Sequence, residues 1–251
     1  MPWGRRAIRY ATLSLYRFDG LPARLWAFAQ MGLARPALRA VPGIGFHKLV
    51  GSGTGEGFTP VPNTGVYGIL ACWKDLDTAR DAIAGARPFT RWRSRAAADW
   101  TVYLDTVSAR GKWAGASPFT PASADGIGPL VALTRATLRP RSLREFWRRV
   151  PAISARIGDD PNTLFKIGIG EVPWLHQVTF SVWPDAASMA DFARASGPHA
   201  EAIRAVREGD WFREELYARF RMVGTEGDWP DARRIRFRPV ESAAPDPHEP
   251  A

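Results

Sequence analysis

The sequence predicts an α+β fold in which tandem ferredoxin-like repeats of one chain close into a dimeric α+β barrel. The main observation is an internal repeat, since the segment from Trp73-x-Asp75 to Pro88-Phe89 recurs without a gap from Trp183-x-Asp185 to Pro198-His199. A period of about a hundred residues indicates two copies of one structural unit. A length of 251 residues and an apolar content of 45% suffice for two halves that share one core.

Further matches extend this repeat in both directions: Asp99-Trp100 with Asp210-Trp211, Trp113 with Trp229, Trp26 with Trp147, and Lys48-Leu49 with Lys166-Ile167.

In the first half, strands are predicted where apolar residues alternate or run together, and helices where they recur every three or four positions. The predicted elements are a strand over 11–17, a helix over 21–33, strands over 45–50 and 66–73, a helix over 75–98 and a strand over 101–107. This is the β-α-β-β-α-β order of ferredoxin-like units.

The second half repeats that order. The predicted elements are a strand over 130–138, a helix from the capping residue Ser142 to about 156, strands over 164–169 and 177–183, a helix over 186–207 and a strand over 215–223. The domains are therefore an N-terminal half over 11–113, a Pro-, Ser-, Ala- and Gly-rich linker over 114–128 and a C-terminal half over 129–229. The proline-rich tail over 239–251 is predicted to be disordered, which excludes His248 from a site.

Composition limits the partners and the compartment. The formal net charge of +9 comes mostly from arginine and suits contact with carboxylates, phosphates or an anionic membrane. Cys72 is the single cysteine, so no disulfide can form within the chain. No leader opens the chain, and no apolar run reaches the roughly 20 residues that cross a bilayer. We therefore expect a cytoplasmic protein that touches a membrane without crossing it.

His199 is the first candidate site residue, because the repeat has Phe89 at the matching position. Positions that serve the shared scaffold should match, whereas a site used once should not. The helix is expected to break at Gly197-Pro198, which can turn the imidazole towards the space between helix and sheet. One histidine there can hold a haem iron. A surface or capping histidine accounts for the same residue about equally well.

His47 and His176 are candidates for the distal side of such a site, although a hydrogen-bonded or exposed strand histidine is the commoner case. With His199 they form no zinc motif, and a non-haem iron triad is disfavoured. Cys72 lies in an apolar strand, where a small buried side chain is the default and a thiolate ligand the weaker alternative.

The glycine-rich run over 51–57 lacks the spacing of a nucleotide-binding motif. It predicts a long loop that lines or covers a site, with Gly53, Gly55 and Phe58 as substrate-loop candidates, or else a flexible connection.

Two further segments combine basic and aromatic residues. The segment over 21–41 has arginines as its only charges and suits an interfacial helix, although core packing explains the same pattern. Arg93 and Arg95 follow Trp92 and are candidates for binding haem propionates. Nucleic acid is not expected, because no recognised module accompanies this interleaving.

Two long strings carry a resemblance to a known family: PGIGFHKLVGSGTGEGFTP over 42–60 and FKIGIGEVPWLHQVTF over 165–180. They resemble the spheroidene monooxygenases, the acyclic carotenoid 2-ketolases of purple photosynthetic bacteria, and the similarity extends over roughly residues 11–229. A local string, FARASGPHAEAI over 192–203, is similar to the segment that carries the axial histidine in haem-containing aldoxime dehydratases. That likeness implies His199 as the iron ligand.

The family resemblance implies O2-dependent conversion of the C-2 methylene of spheroidene to a ketone, giving spheroidenone by two successive hydroxylations. No side chain can do this chemistry, so a borrowed cofactor is needed, and haem b on His199 is the economical choice. Reduced ferredoxin is the implied electron donor, and a homodimer is one expected assembly. The alternatives are a haem-dependent dehydratase of the aldoxime type and a non-catalytic carotenoid or haem carrier. Between His199 and the tail there is no histidine to serve as the dehydratases' second, catalytic one.

Overall fold

A computed structural model describes residues 8–122, 128–149, 160–194, 209–232 and 235. The strands are β1 (Tyr10–Arg17), β2 (Ile44–Gly53), β3 (Pro62–Trp73), β4 (Ala98–Gly111), β5 (Leu130–Leu138), β6 (Phe165–Gly170), β7 (His176–Trp183) and β8 (Phe212–Gly227). The helices are α1 (Leu21–Arg39), α2 (Leu76–Gly85), α3 (Arg87–Arg93), α4 (143–149) and α5 (Ala186–Arg194). The predicted disordered tail lies outside the described residues.

The eight strands form one closed antiparallel barrel in the order β1-β3-β2-β6-β7-β5-β8-β4. Each half contributes four neighbouring strands, and the order β4-β1-β3-β2 of the first half recurs as β8-β5-β7-β6 in the second. The halves meet at a long β4–β8 seam, paired from Trp100 to Gly111, and at a short β2–β6 seam around Gly51 and Ser52. The prediction of an α+β barrel is thus confirmed.

Alternating residues of all eight strands fill the barrel interior with apolar side chains. Because successive side chains in a strand point to opposite faces, the other residues face outwards under the helices. The interior is thus a packed core shared by both halves. Its largest members include Trp100, Trp113, Phe165, Phe180 and Phe220.

The repeat is visible in the helix starts. The indole nitrogen of Trp73 donates to Thr12 Oγ1 at 2.9 Å, and that of Trp183 donates to Ser181 Oγ at 3.0 Å. Asp75 then caps α2 by accepting the amide of Thr78, and Asp185 accepts the amide of Ser188 in the same way. Side chains that accept from free helix amides define where these helices begin.

Two predicted matches of the repeat are wrong. Trp100 pairs with Leu15 and Leu216 pairs with Arg135, and Leu15 and Arg135 are equivalent under the repeat, so Trp100 corresponds to Leu216 and not to Trp211.

The match of Lys48 with Lys166 is wrong by one residue. Leu49 pairs with Ile69 and Gly168 with Thr179, and Ile69 and Thr179 are equivalent under the repeat. Lys48 therefore corresponds to Ile167 and lies on the side of β2 that faces the barrel interior, whereas Lys166 faces outwards. The lysines were aligned because they are the same residue type, but the alternation of strand side chains places them on opposite faces.

Other boundaries also differ from the prediction. The helix expected over 75–98 is two helices, because Pro88 has no amide hydrogen and is accommodated only in the first turn of a new helix, α3. Helix α1 continues through Pro36 to Arg39, and its last two turns bury the side chains of Ala34 and Leu38. In the linker, Phe119 is buried in the barrel core and Thr120 donates its amide to Ile8. Within the described ranges no helix has the length and apolar character of a membrane span.

Candidate functional site

The outer faces of the two halves differ sharply. In the first half, large side chains of β1, β2 and β3 fill the space under the helices, among them Tyr16, Leu49, Tyr67 and Ile69. The helices add Phe89 and Trp92, which are almost fully buried. This face is therefore closed by its own packing.

In the second half, small or polar residues occupy the equivalent positions. Tyr16 pairs with Tyr67 across β1 and β3, and at the same register of β5 and β7 Ala136 pairs with Gln177. Gly168 stands in place of Leu49, and Thr179 in place of Ile69. We call this surface the small-residue face, and its members are Ala132, Thr134, Ala136, Gly168, Gln177, Thr179 and Ser181.

The two outer faces differ in exposure at one pair of equivalent positions. Ser14 of the first half has no exposed surface, whereas its equivalent, Thr134, is exposed. Helix α5 packs on one end of the face through Phe192, whose ring lies 5.1 Å from that of Trp183.

Gln177 provides an unpaired polar group on this face. Its Nε2 atom is buried and has no hydrogen-bond partner among the described residues. The same atom lies 2.9 Å from the place that a Cβ on Gly168 would take, so the side chain extends across the glycine. A buried amide without a partner costs free energy and is a suitable donor for a bound ligand.

The glycine-rich loop of the first half crosses to the second half and lies against β6. The Gly168 amide donates to the carbonyl of Glu56 at 2.7 Å, and the Ser52 hydroxyl donates to the carbonyl of Gly168 at 2.8 Å. Lys166 forms an ion pair with Glu56 at 2.8 Å and lies 5.2 Å from the ring centroid of buried Phe58. Loop residues 54–61 thus form one border of the small-residue face.

The substrate-loop candidates have defined places in this arrangement. Gly53 ends β2, where a Cβ would lie 2.6 Å from the carbonyl oxygen of Thr59, and Gly55 has a positive φ of 58°. Phe58 is buried beside Lys166. All three lie in or next to the loop that contacts the second half.

A charged guanidinium also lies on this face. Arg219 of β8 pairs with Ala132 of β5, is exposed and has no ion pair within the described part of the chain. Arg93 and Arg95, by contrast, belong to the first half. Arg93 donates to Asp99 and to the carbonyl of Ile83, and Arg95 lies 4.7 Å from the ring of Trp26.

His176 lies in a polar cluster at one end of the barrel. Its Nδ1 is 3.4 Å from Glu171, which also pairs with Lys48 at 2.7 Å and accepts a hydrogen bond from the Trp113 indole at 2.7 Å. Burial alone would raise the pKa of Glu171, but the contacts with His176, Lys48 and Trp113 prevail and lower it to about 2. Arg135 completes the cluster.

Arg135 is a charged residue inside the barrel mouth, with a side chain only 2% exposed. It pairs with Glu214 and lies 3.8 Å from Glu171. Glu214 also accepts the amides of Ala114 and Gly115, which tie the end of the first half to β8. This cluster joins the halves and faces away from the small-residue face.

The remaining candidates are separated from one another. His47 is on the outer face of the first half, where burial lowers the pKa of its imidazole. Cys72 is fully buried in the barrel core, and burial raises the pKa of its thiol. His199 lies outside the described residues. In the part of the chain that the structure describes, no three His, Cys, Asp or Glu residues come together as a metal site.

Sequence reasoning missed Ala136, Gly168, Gln177 and Arg219. The repeat contains a signal for the first three. Outward-facing strand positions that hold Tyr16, Leu49 and Tyr67 in the first half hold Ala136, Gly168 and Gln177 in the second half.

The chain is similar to spheroidene monooxygenases. It is 52% identical to the enzyme of Rhodobacter capsulatus over 222 residues, which cover 87% of this chain and 92% of the relative. It is 48% identical to that of Cereibacter sphaeroides over 242 residues, covering 94% and 75% of the two chains. A scan against family models finds no match.

Solved structures of aldoxime dehydratases share the fold. One aligns with a TM-score of 0.59 at 9% identity and covers 88% of this chain and 83% of its own. Another, in complex with butyraldoxime, aligns with a TM-score of 0.55 at 10% identity and covers 86% and 81%.

Proposed function

Because the chain belongs to the spheroidene monooxygenase family, we propose that it is a haem-dependent monooxygenase that introduces a C-2 keto group into acyclic carotenoids. The substrate is spheroidene and the product is spheroidenone. The structural observation that carries this proposal is the small-residue face, which has small and polar residues where the equivalent face of the first half is filled by large side chains.

The residues of this face fit a flat cofactor. Ala136, Gly168 and Thr179 carry less bulk than Tyr16, Leu49 and Ile69 at the equivalent positions of the first half. The buried Nε2 of Gln177 has no hydrogen-bond partner among the described residues. His199 follows the end of α5 at Arg194 by five positions in the sequence, and we propose it as the axial ligand of haem b. A single histidine is sufficient to hold a haem.

A haem propionate needs a cationic partner, and Arg219 is an exposed guanidinium on this face. Arginine is suited to carboxylates because its planar fork donates two hydrogen bonds. Arg93 and Arg95 remain the sequence-based candidates, but their partners lie in the first half. We therefore propose Arg219 ahead of them.

When bound, haem supplies the O2 chemistry that no amino-acid side chain provides. Each hydroxylation replaces one C–H bond of the methylene by C–OH, consumes one O2 with two electrons and two protons, and releases one water. The second hydroxylation gives a geminal diol, which loses water to form the ketone. Reduced ferredoxin is the proposed source of electrons.

The chain's own residues shape the reaction space. The loop with Gly53, Gly55 and Phe58 borders the small-residue face and excludes water from it on the β6 side. Lys166 and Glu56 hold the loop there. The Gln177 amide is positioned to donate to a bound ligand. His176 and His47, the distal candidates from the sequence, lie away from this face and have no role in the proposal.

The substrate is an apolar polyene that dissolves in membranes rather than in water. We propose that the enzyme works at the cytoplasmic surface of the inner or photosynthetic membrane, without crossing it, and that it forms a homodimer. Its basic charge of +9 favours an anionic membrane surface.

The first test is the absorption spectrum of the purified protein with supplied haem, oxidised and reduced. His199→Ala is compared with His47→Ala and His176→Ala as matched histidine controls. We expect the Soret band to be lost in His199→Ala and retained in both controls. Equal spectra for all four proteins, or no haem binding by the unsubstituted protein, would refute the proposed site.

The second test is turnover of spheroidene with O2 and reduced ferredoxin, with the ketone measured by mass spectrometry. Product carrying the isotope of 18O2 supports the monooxygenase, provided that exchange of the ketone oxygen with water is measured separately. Bound carotenoid without any product would indicate a carrier. Conversion of an aldoxime without O2 or electron donor would indicate the dehydratase alternative.

A further inference from the structure

Helix α1 exposes four large apolar side chains, although it also packs Leu38 and, in part, Trp26 and Met31 against the core. Its buried residues are Ala27, Gln30, Ala34 and Leu38. Its exposed apolar side chains are Leu21, Leu25, Phe28 and Leu33, which are 69%, 59%, 68% and 70% exposed. An ordinary surface helix directs its large apolar residues to the core.

The exposed residues lie together on the helix. Leu21, Leu25 and Phe28 follow the spacing i, i+4 and i+7, so they form one stripe along the first two turns. Leu33 widens the stripe in the later part of the helix. Contiguous exposed apolar surface of this kind marks a protein-binding or membrane-binding surface.

The charges of α1 indicate which partner fits. Arg24, Arg35 and Arg39 are exposed, and no acidic residue occurs between Leu21 and Arg39. A two-fold interface between two copies of this surface would bring like charges together, which is unfavourable. Anionic lipid headgroups, by contrast, complement the arginines while the apolar stripe enters the acyl region.

The position of α1 connects this surface with the candidate site. Arg24 Nε donates to the carbonyl of Phe18 at 3.2 Å and lies beside Gly65, near the start of β3. Val61, in the loop that precedes β3, is exposed. In the same loop, the carbonyl of Pro60 accepts a hydrogen bond of 2.7 Å from the Trp174 indole. That loop is the one that borders the small-residue face.

We propose that the exposed stripe of α1, together with Arg24, Arg35 and Arg39, is the surface on which the protein docks to a bilayer that carries anionic lipids. The stripe enters the headgroup region, and the adjoining loop is thereby held at the membrane, where an apolar polyene can leave the lipid. The role in substrate delivery rests on the proposed function, whereas the docking itself depends on α1 alone.

The test uses co-sedimentation of the full chain with vesicles of phosphatidylglycerol and phosphatidylcholine, and with vesicles of phosphatidylcholine only. We expect binding to the anionic vesicles that weakens with salt. Leu25→Ser/Phe28→Ser should lower the partition coefficient at least tenfold, because two apolar side chains no longer enter the acyl boundary. Arg35→Gln/Arg39→Gln should lower it about fivefold per arginine.

The matched control is Arg144→Gln/Arg213→Gln, which removes the same charge from exposed positions of the second half. It should bind like the unsubstituted protein. Circular dichroism and thermal unfolding verify that each variant is folded. Unchanged binding of Leu25→Ser/Phe28→Ser would overturn the proposal. The proposal would also be overturned if the unsubstituted protein bound no vesicles and formed a dimer that Leu25→Ser/Phe28→Ser dissociates in sedimentation analysis.

The result is separable from the proposed activity. Vesicle binding needs neither haem nor carotenoid, and turnover can be measured with a detergent-dispersed carotenoid. We expect Leu25→Ser/Phe28→Ser to retain turnover in detergent and to lose it with carotenoid supplied in vesicles. A protein that docks through α1 but oxidises no carotenoid would refute the proposed function and leave the docking surface intact.

Discussion

Gly57 of the first half and Gly168 of the second half meet backbone to backbone, so closely that a Cβ on Gly57 would overlap the carbonyl group of Gly168. Gly57 also has a φ of 89°, a conformation that residues with a side chain rarely adopt. The contact holds the loop over 54–61 against β6. Glycine is therefore required at both positions for the border of the small-residue face.

Replacing Gly168 by alanine should detach this loop. The new Cβ would meet the Gly57 backbone and approach Gln177 Nε2 at 2.9 Å, so the backbone must shift. We expect a loss of about 1–3 kcal/mol in the free energy of unfolding and faster proteolysis within 54–61. Urea unfolding and limited digestion measure these effects. Gly85→Ala is the control, because its Cβ meets no atom and should slightly stabilise α2.

Filling the small-residue face should prevent cofactor binding without unfolding the protein. Ala136→Tyr with Gln177→Tyr reproduces the Tyr16–Tyr67 pair of the first half. We expect haem uptake, followed by the Soret band during titration, to fall at least tenfold. Ala84→Tyr, on the exposed side of α2, should titrate normally. Normal uptake by the doubly substituted protein would place the cofactor elsewhere.

Glu171 should make stability depend on acid pH. Its folded pKa of about 2 lies below the ordinary value of 4.5, so its contribution is present above 4.5 and is lost as the pH falls towards 2. Glu171→Gln should lower the unfolding free energy at pH 7 by about 1–3 kcal/mol, since partial exposure screens the charges.

The difference between Glu171→Gln and the unsubstituted protein should shrink between pH 4.5 and pH 2, as measured by denaturant unfolding across that window. Glu145→Gln is the control, because its partners Arg148 and Arg149 are on the surface and the loss should be barely measurable. A difference that stays constant down to pH 2 would contradict the assignment.

Arg135 should be essential for the barrel end. Arg135→Met leaves Glu214 without its buried cation and removes the weaker of two cations near Glu171, and we expect a loss of about 3–5 kcal/mol. Arg139→Met removes a pair with Asp210 that is more exposed, so its effect should stay below about 1 kcal/mol. Thermal unfolding of both variants compares the two sites directly, and equal losses would contradict the role of burial.

The fold could be predicted because its signals are local. Trp73-x-Asp75 and Trp183-x-Asp185 each combine an outward-facing core residue with a helix cap, and these are readable from neighbouring residues. The strand β5 was predicted with its observed bounds, because Leu130–Leu138 is rich in apolar and β-branched residues and lies between Pro129 and Pro140. The predicted ends of other strands and helices differ from the observed ones where contacts with residues far away in the sequence determine them.

The candidate site was harder to predict because its contacts join distant segments. Nothing near Gly168 in the sequence indicates that Gly57 lies against it, since the approach depends on how the two halves meet. Likewise, the sequence does not show that the Gln177 amide is buried, because this depends on which face of β7 points outwards. The alignment of Lys48 with Lys166 failed for the same reason, because residue identity was used where side-chain direction decides.

The unequal outer faces have an evolutionary consequence. A barrel assembled from two separate identical subunits must change both outer faces with every mutation, so a site that opens on one side also opens on the other. Joining the copies in one gene removes that constraint. Here Tyr16, Tyr67 and Trp92 fill one outer face, Ala136 and Gly168 leave less bulk on the other, and the barrel is closed across both halves.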